Sequence, residues 1–209
     1  QGSAAPLLPL MSANLRRVAV VGRLADAPNL GDSGSSEVRP PYAVSPLAGI
    51  REALPNADIV AVPSSTLAGY EDAVAAADAV IAVVGYTHDD EGENLVVGGG
   101  DRHSLTLRPE DEALLLEASR LNPRTVAVVI AGSAIVSEAW RESIPSILVA
   151  WYPGMEGGRA LAAVLLGERS PGGKLPCVFP RSAADLPAFD PAGDSAVYDR
   201  YHGYRVLDR

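Results

Sequence analysis

Short apolar runs and amphipathic stretches alternate along most of this 209-residue chain. Six runs rich in Val, Ile and Ala predict β-strands at 17–21, 59–62, 79–84, 125–131, 146–151 and 174–179. Four stretches with apolar residues at helical spacing predict α-helices at 46–54, 70–77, 109–122 and 156–166. Apolar residues are consecutive within the strands, which is typical of strands that helices cover on both faces. The sequence therefore predicts an α/β fold, in which helices sandwich a mostly parallel sheet of six strands.

The predicted strands and helices divide the chain into three parts. Residues 15–180 are interpreted as one α/β sandwich domain. Residues 1–14 begin at Gln1 rather than at a methionine, and we expect a cloning remnant or a linker there. Residues 181–209 are polar and predict a C-terminal tail or a linker to a further domain. Two long connections, at 25–43 and 86–107, interrupt the alternation, and connections of this length are usually functional or disordered.

The charge and the apolar content of the chain indicate which classes of binding partner are not expected. The formal net charge is −9, from 26 acidic and 17 basic residues, and no basic cluster is present to neutralise phosphates. A nucleic-acid partner is therefore not expected. No run reaches the roughly 18 apolar residues that a membrane span requires, so no membrane partner is expected either. The single cysteine, Cys177, lies in a predicted strand and is expected to be a buried small hydrophobic residue. The cellular compartment stays open.

Several stretches are similar to nucleotide-binding or metal-binding motifs but lack residues or spacings that those motifs require. Gly22 follows a predicted strand but lacks the later glycines of a dinucleotide fingerprint. The stretch 167–174 is similar to a phosphate loop, but Gly173 stands where the lysine belongs and the helix precedes the strand. The three histidines, His88, His103 and His202, are not at metal-ligand spacing. We therefore expect neither a nucleotide site nor a metal site.

An acidic, glycine-rich loop follows the predicted strand at 79–84. It begins with DDEGE at 89–93 and returns to the domain through Asp101 and Arg102, which could anchor it by an ion pair. Ligands bind beyond the carboxyl ends of strands in open α/β sheets, and a carboxylate fixed there can act as a general acid. A solvated charged turn would have the same composition. From the residues alone, both interpretations stay open.

Five blocks of sequence, in order, carry a resemblance to a known family. They are VAVVG and LGDSGSS at 18–22 and 30–36, EG and GDR at 91–92 and 100–102, WYPGMEGG at 151–158, SPGGKLP at 170–176, and DLP at 185–187. With these blocks the chain resembles the second domain of glycoside hydrolase family 3, the β-glucosidase family. The resemblance implies a six-stranded α/β sandwich that packs beside an N-terminal (β/α)8 barrel, which carries the nucleophilic aspartate.

The resemblance also implies the chemistry. Glu91 would be the general acid/base of a retaining β-glycosidase, with Glu93 as the alternative because a long stretch separates Glu91 from Asp101. Asp32, Asp101 and Arg102 would contact a β-linked glycoside, although Asp32 could instead cap its own turn. No cofactor is implied. Because the nucleophile belongs to the barrel, the isolated chain is expected to be inactive. The alternative is a non-catalytic carbohydrate-binding or scaffolding domain.

Overall fold

The computed structural model describes residues 7–31, 36–91, 102–188, 194–195 and 197–208. In these residues the strands are β1 Arg17–Val21, β2 Asp58–Val62, β3 Ala79–Gly85, β4 Thr125–Ile130 and β5 Ser146–Val149. The α-helices are α1 Pro46–Ala53, α2 Glu71–Ala75, the single turn α3 His88–Glu91, α4 Pro109–Leu121 and α5 Gly157–Leu165. No helix in these ranges is long and apolar enough to cross a membrane.

The strands form one parallel sheet in the order β2-β1-β3-β4-β5. Two apolar clusters cover its two faces. Val74 of α2 and Leu114 of α4 belong to one cluster, and Ile50 of α1 and Leu161 of α5 belong to the other. The predicted α/β sandwich is therefore confirmed, with α2 and α4 on one face and α1 and α5 on the other.

The sheet departs from the prediction in the burial of its edges. The central strands β1, β3 and β4 are buried almost throughout, as predicted, whereas β2 and β5 are only half-buried. Among the described residues, each of these two strands pairs with a neighbour on one side only, so helices and adjacent strands cover less of it. Apolar composition therefore did not distinguish an edge strand from a central one.

The predicted sixth strand at 174–179 is not part of the sheet in the described residues, which contain five strands. Pro176 has no backbone N–H to donate to a strand ladder, and Leu175 is 40% exposed. The segment and β5 line the same cavity, and the two do not pair in the described residues. Cys177 is only partly buried there, so the prediction of a buried cysteine was too strong.

The described part of residues 1–14 packs against the domain. Leu10 is fully buried in the cluster that contains α1 and α5, and its N–H donates to the Leu165 carbonyl at 2.8 Å. The division of the chain at residue 15 stays a prediction.

Glycine lets the chain leave the sheet sharply at the end of β3. Gly85 has φ of 130°, a region that favours glycine, and a Cβ there would lie 1.9 Å from the Ile130 carbonyl oxygen. Any larger residue would collide with the neighbouring strand β4. This turn carries the chain out at the carboxyl edge of the sheet and into α3.

Candidate active site

Residues that follow four different strands meet at the carboxyl edge of the sheet. Arg23 follows β1, Glu91 follows β3, Gly132 follows β4 and Tyr152 follows β5. The chain crosses to one face of the sheet after β1 and to the other face after β3, while β1 and β3 are neighbours. Such a switch point leaves a crevice at the carboxyl ends of the strands, where open α/β sheets bind their ligands.

The short helix α3 is specified by its own side chains. The Asp89 N–H donates to the Thr87 hydroxyl at 3.3 Å, and the Thr87 N–H donates to the Asp90 carboxylate at 2.9 Å. These two side-chain contacts satisfy backbone donors that a helix start would otherwise leave unpaired. The turn ends at Glu91, so the capping fixes the direction in which the Glu91 side chain leaves the backbone.

The Glu91 carboxylate is enclosed by donors. Arg102 Nε lies 2.8 Å from Glu91 Oε2, and the two side chains are only 6% and 7% exposed. The Tyr152 hydroxyl donates to Glu91 Oε1 at 2.6 Å, and the Gly132 N–H donates to the same oxygen. A Cβ on Gly132 would lie 3.2 Å from Glu91 Oε1 and 3.0 Å from the Tyr152 ring, so the absence of a side chain there lets the three groups meet.

Arg102 is itself held from several sides. Its guanidinium lies 4.7 Å from the centre of the Tyr86 ring, and it donates to the Ala134 carbonyl at 3.1 Å and to the Ser133 hydroxyl. Burial raises the pKa of Tyr86 against the opposing effect of the Arg102 charge, so the ring meets the guanidinium as a neutral phenol. Arg102 is thus a rigid partner for Glu91.

Only one of the three groups around Glu91 can change its hydrogen-bonding role. The Arg102 guanidinium and the Gly132 N–H can only donate, whereas the Tyr152 hydroxyl can donate or accept. A protonated carboxyl group needs an acceptor for its own hydrogen. Within this set of contacts, Tyr152 is the group that suits both protonation states of Glu91.

A second ionic cluster lies directly beside Glu91. The Asp90 carboxylate is 6% exposed, lies 3.0 Å from Arg23 Nη2 and also pairs with Arg108. Arg23 Nε lies 3.5 Å from Oδ2 of Asp111, which is fully buried and accepts from the Gly85 N–H at 3.3 Å.

Burial shifts the pKa values of the two aspartates in this cluster. Burial alone would raise the pKa of Asp90, but the hydrogen bonds that its carboxylate accepts from Thr87, Arg108 and Arg23 outweigh this effect and hold that pKa below its ordinary value. Burial prevails at Asp111 and raises its pKa.

The structure brings together two of the predicted site residues, Glu91 and Arg102. Asp32, Glu93 and Asp101 lie outside the described residues, so their roles stay predictions. The partners Gly132 and Tyr152 were not predicted from the sequence. A usable signal existed, because each comes just after a predicted strand and therefore at the same sheet edge as Glu91.

An apolar cavity of about 560 Å³ lies beside the edge strand β5. Trp140, Trp151 and Phe179 line it, and the rings of Trp151 and Phe179 meet edge to face with centres 6.2 Å apart. Trp151 has φ of 54°, unusual for a residue other than glycine, and directly precedes Tyr152. Among the described His, Cys, Asp and Glu residues, no group of three is placed to hold a metal ion.

Comparison with known proteins gives one consistent family. The profile of the glycosyl hydrolase family 3 C-terminal domain matches residues 4–206. A β-xylosidase of Formosa agariphila is 34% identical over 195 residues, which cover 87% of this chain and 26% of that protein. A β-glucosidase of Bacteroides ovatus is 34% identical over 203 residues, with the same coverage of 87% and 26%.

Solved structures of glycosidases share this fold. The chain superposes on the β-D-glucoside glucohydrolase of Trichoderma reesei with a TM-score of 0.82 and 25% identity, covering 96% of this chain and 31% of that protein. The chain spans about a quarter of the length of the curated relatives it matches. On the sequence profile, the identity to these relatives and the shared fold, the chain belongs to the C-terminal domain family of glycosyl hydrolase family 3.

Proposed function

We propose that this domain supplies the general acid/base glutamate of a retaining β-glycosidase, and that an N-terminal barrel supplies the nucleophilic aspartate. The observation that carries the proposal is the position of Glu91, a carboxylate fixed at the carboxyl edge of the switch point by groups following β4 and β5. A retaining mechanism needs two carboxyl groups about 5–5.5 Å apart, so the second would face this edge from the barrel.

The relatives support a β-linked glycoside as the substrate. Those cited above are named a β-xylosidase, a β-glucosidase and a β-D-glucoside glucohydrolase. Xylosides and glucosides differ in the hydroxymethyl group on the sugar ring, while the β-linkage that breaks is common to both. We therefore propose β-linked glucosides or related sugars, and a reaction that requires no cofactor.

Glu91 would act twice in each turnover. In the first step its protonated carboxyl group gives a proton to the glycosidic oxygen as the C–O bond breaks and the nucleophile of the barrel attacks the sugar. In the second step the Glu91 carboxylate takes a proton from water as that water attacks the glycosyl-enzyme. Tyr152 would accept from the protonated form and donate to the ionised form, which keeps the side chain oriented through both steps.

Glu93 is the alternative acid/base, and paired variants of the intact protein separate the two. With Glu91→Gln we expect a loss of roughly 10²–10⁴-fold in kcat/KM for a phenyl β-glycoside, and restoration of turnover by azide when a dinitrophenyl glycoside is the substrate. Glu93→Gln should leave both nearly unchanged. Glu142→Gln, an exposed residue beside Arg141, is the matched control. The reverse pattern would assign the role to Glu93, and full activity in both variants would reject the proposal.

The burial of Glu91 also favours a second candidate, a non-catalytic carbohydrate-binding or scaffolding domain. Both oxygens of the Glu91 carboxylate are paired, which would also suit a purely structural role in which the side chain holds the loop in place. That function predicts weak sugar binding that survives Glu91→Gln and no hydrolysis by the intact protein. Binding of a β-glycoside by titration calorimetry, measured with and without the substitution, distinguishes it from the enzyme.

A further inference from the structure

Asp90 lies between Asp89 and Glu91 in the chain. Its side chain is held quite differently from the side chain of Asp89. The Asp90 carboxylate is nearly buried, whereas the Asp89 side chain is 81% exposed and lies 3.2 Å from the His88 ring. Two adjacent aspartates thus lie in the same short turn, one directed into the domain and one directed into solvent. Only the buried one is in a position to fix the turn.

The contacts of Asp90 tie three segments of chain together. Oδ2 accepts from the Thr87 N–H at 2.9 Å and from Arg23 Nη2 at 3.0 Å, and Oδ1 accepts from Arg108. Arg23 follows β1 and Arg108 directly precedes α4, so Asp90 links the turn after β3 to both. A single helical turn is not stable by itself, because nucleating a helix fixes several residues for one hydrogen bond. The placement of α3 therefore depends on these contacts.

Arg23, which binds Asp90, is itself held by other groups. Arg23 donates to the Gly85 carbonyl, and its Nε lies 3.5 Å from the buried Asp111. Gly85 also donates to Asp111 at 3.3 Å, so the end of β3, the arginine and α4 form one connected group. Buried ionic networks often contribute little net stability, and in some proteins their use is to specify one geometry.

We propose that Asp90 is a positioning residue that holds the turn bearing the acid/base glutamate, through Arg23 and Arg108, in the orientation that proton transfer requires. The inference rests on the proposed function. It concerns Glu91, which ends the turn, since Glu93 lies outside the described residues. We assign Asp90 a positioning role because its side chain is directed into the domain, against Thr87 and the two arginines.

The test measures how activity depends on the leaving group, in the intact protein. A phenyl glycoside needs protonation to depart, whereas a dinitrophenyl glycoside departs without it. For Asp90→Asn we expect kcat/KM to fall about 10²-fold with the phenyl glycoside and only a few-fold with the dinitrophenyl glycoside, because a misplaced proton donor harms only the first. Asp89→Asn is the control and should match the unsubstituted protein on both substrates.

Arg108→Lys gives a second variant in case Asp90→Asn folds poorly, because Arg108 is more exposed than Asp90 and lysine keeps its charge. It should show the same selective loss in milder form. An equal loss on both substrates, or no loss, would overturn the inference and leave Asp90 a merely structural residue. A failure of the proposed function would give a different result. In that case neither Glu91→Gln nor Glu93→Gln would show a selective loss with the phenyl glycoside, whatever the result for Asp90→Asn.

Discussion

Arg102 Nε lies 2.8 Å from Glu91 Oε2, and both side chains are almost fully buried. The pair joins the end of α3 to the chain that leads into α4, and the Tyr86 ring covers the guanidinium. A buried carboxylate depends strongly on such a partner, because it has lost its hydration. Glu91 and Arg102 should therefore behave as one energetic unit.

Arg102→Ala should lower the free energy of unfolding by about 3–5 kcal/mol, because it leaves a buried carboxylate without its counter-charge. The measurement is urea unfolding at neutral pH. Arg102→Ala combined with Glu91→Gln should cost less than the sum of the two single changes, since the uncompensated charge is gone. Strict additivity would contradict the coupling.

Tyr152→Phe removes one donor from Glu91 and leaves the ring in place. We expect a loss of about 1.5–3 kcal/mol in the free energy of unfolding, the usual range for a hydrogen bond to a charged group. In the background of Glu91→Gln the same change should cost clearly less. Tyr70→Phe, at a half-exposed ring, is the control and should be close to neutral. An equal cost in both backgrounds would show that the 2.6 Å contact is not the source of the effect.

Asp90 and Asp111 should affect stability in opposite directions as pH changes. The pKa of Asp90 is lowered in the folded state, so its contribution is present above the ordinary value of 3.8 and is lost as pH falls through the folded pKa. The pKa of Asp111 is raised, so its contribution is full below 3.8 and is lost as pH rises through the folded pKa.

Unfolding of Asp90→Asn and Asp111→Asn between about pH 3 and pH 8 measures this directly. Relative to the unsubstituted protein, the cost of Asp90→Asn should grow as pH rises, and the cost of Asp111→Asn should shrink. Parallel pH profiles for the two variants would contradict the account of this cluster.

Gly85→Ala should be strongly destabilising, because its φ of 130° is unfavourable for alanine and the new Cβ would meet the Ile130 carbonyl oxygen. We expect a loss of at least about 3 kcal/mol by urea unfolding. Gly172→Ala is the control, since open space surrounds Gly172 and the cost should stay within about 0.5 kcal/mol. Similar costs at both sites would contradict the described end of β3.

The sequence was sufficient to predict the class of fold and the location of five strands. Consecutive apolar residues in β1, β3 and β4 reflect burial on two faces, and this signal is local. The segment at 174–179 carries a similar apolar composition, yet it lies outside the sheet. Pro176 is a sequence signal against pairing, whereas the packing over β5 cannot be read from the periodicity.

The site was predicted only in part. Glu91 and Arg102 were found because they belong to recognisable motifs at the ends of one loop. Gly132 and Tyr152 lie far from that loop in sequence and reach it only through the order of the strands. The Glu91 carboxylate pairs with Arg102 and does not face a water-filled cleft alone. This pairing also depends on packing that no motif describes. Strand order is therefore the information that the local sequence patterns do not contain.

The central claim, that this domain carries half of a composite glycosidase site, is tested most directly by hydrolysis of aryl β-glycosides. The domain would be assayed alone, and again joined to its barrel. We predict no hydrolysis by the domain alone, hydrolysis with retention when the two are joined, and loss of that activity on Glu91→Gln. Hydrolysis by the domain alone, or full activity of the joined protein with both Glu91 and Glu93 changed to Gln, would contradict the account.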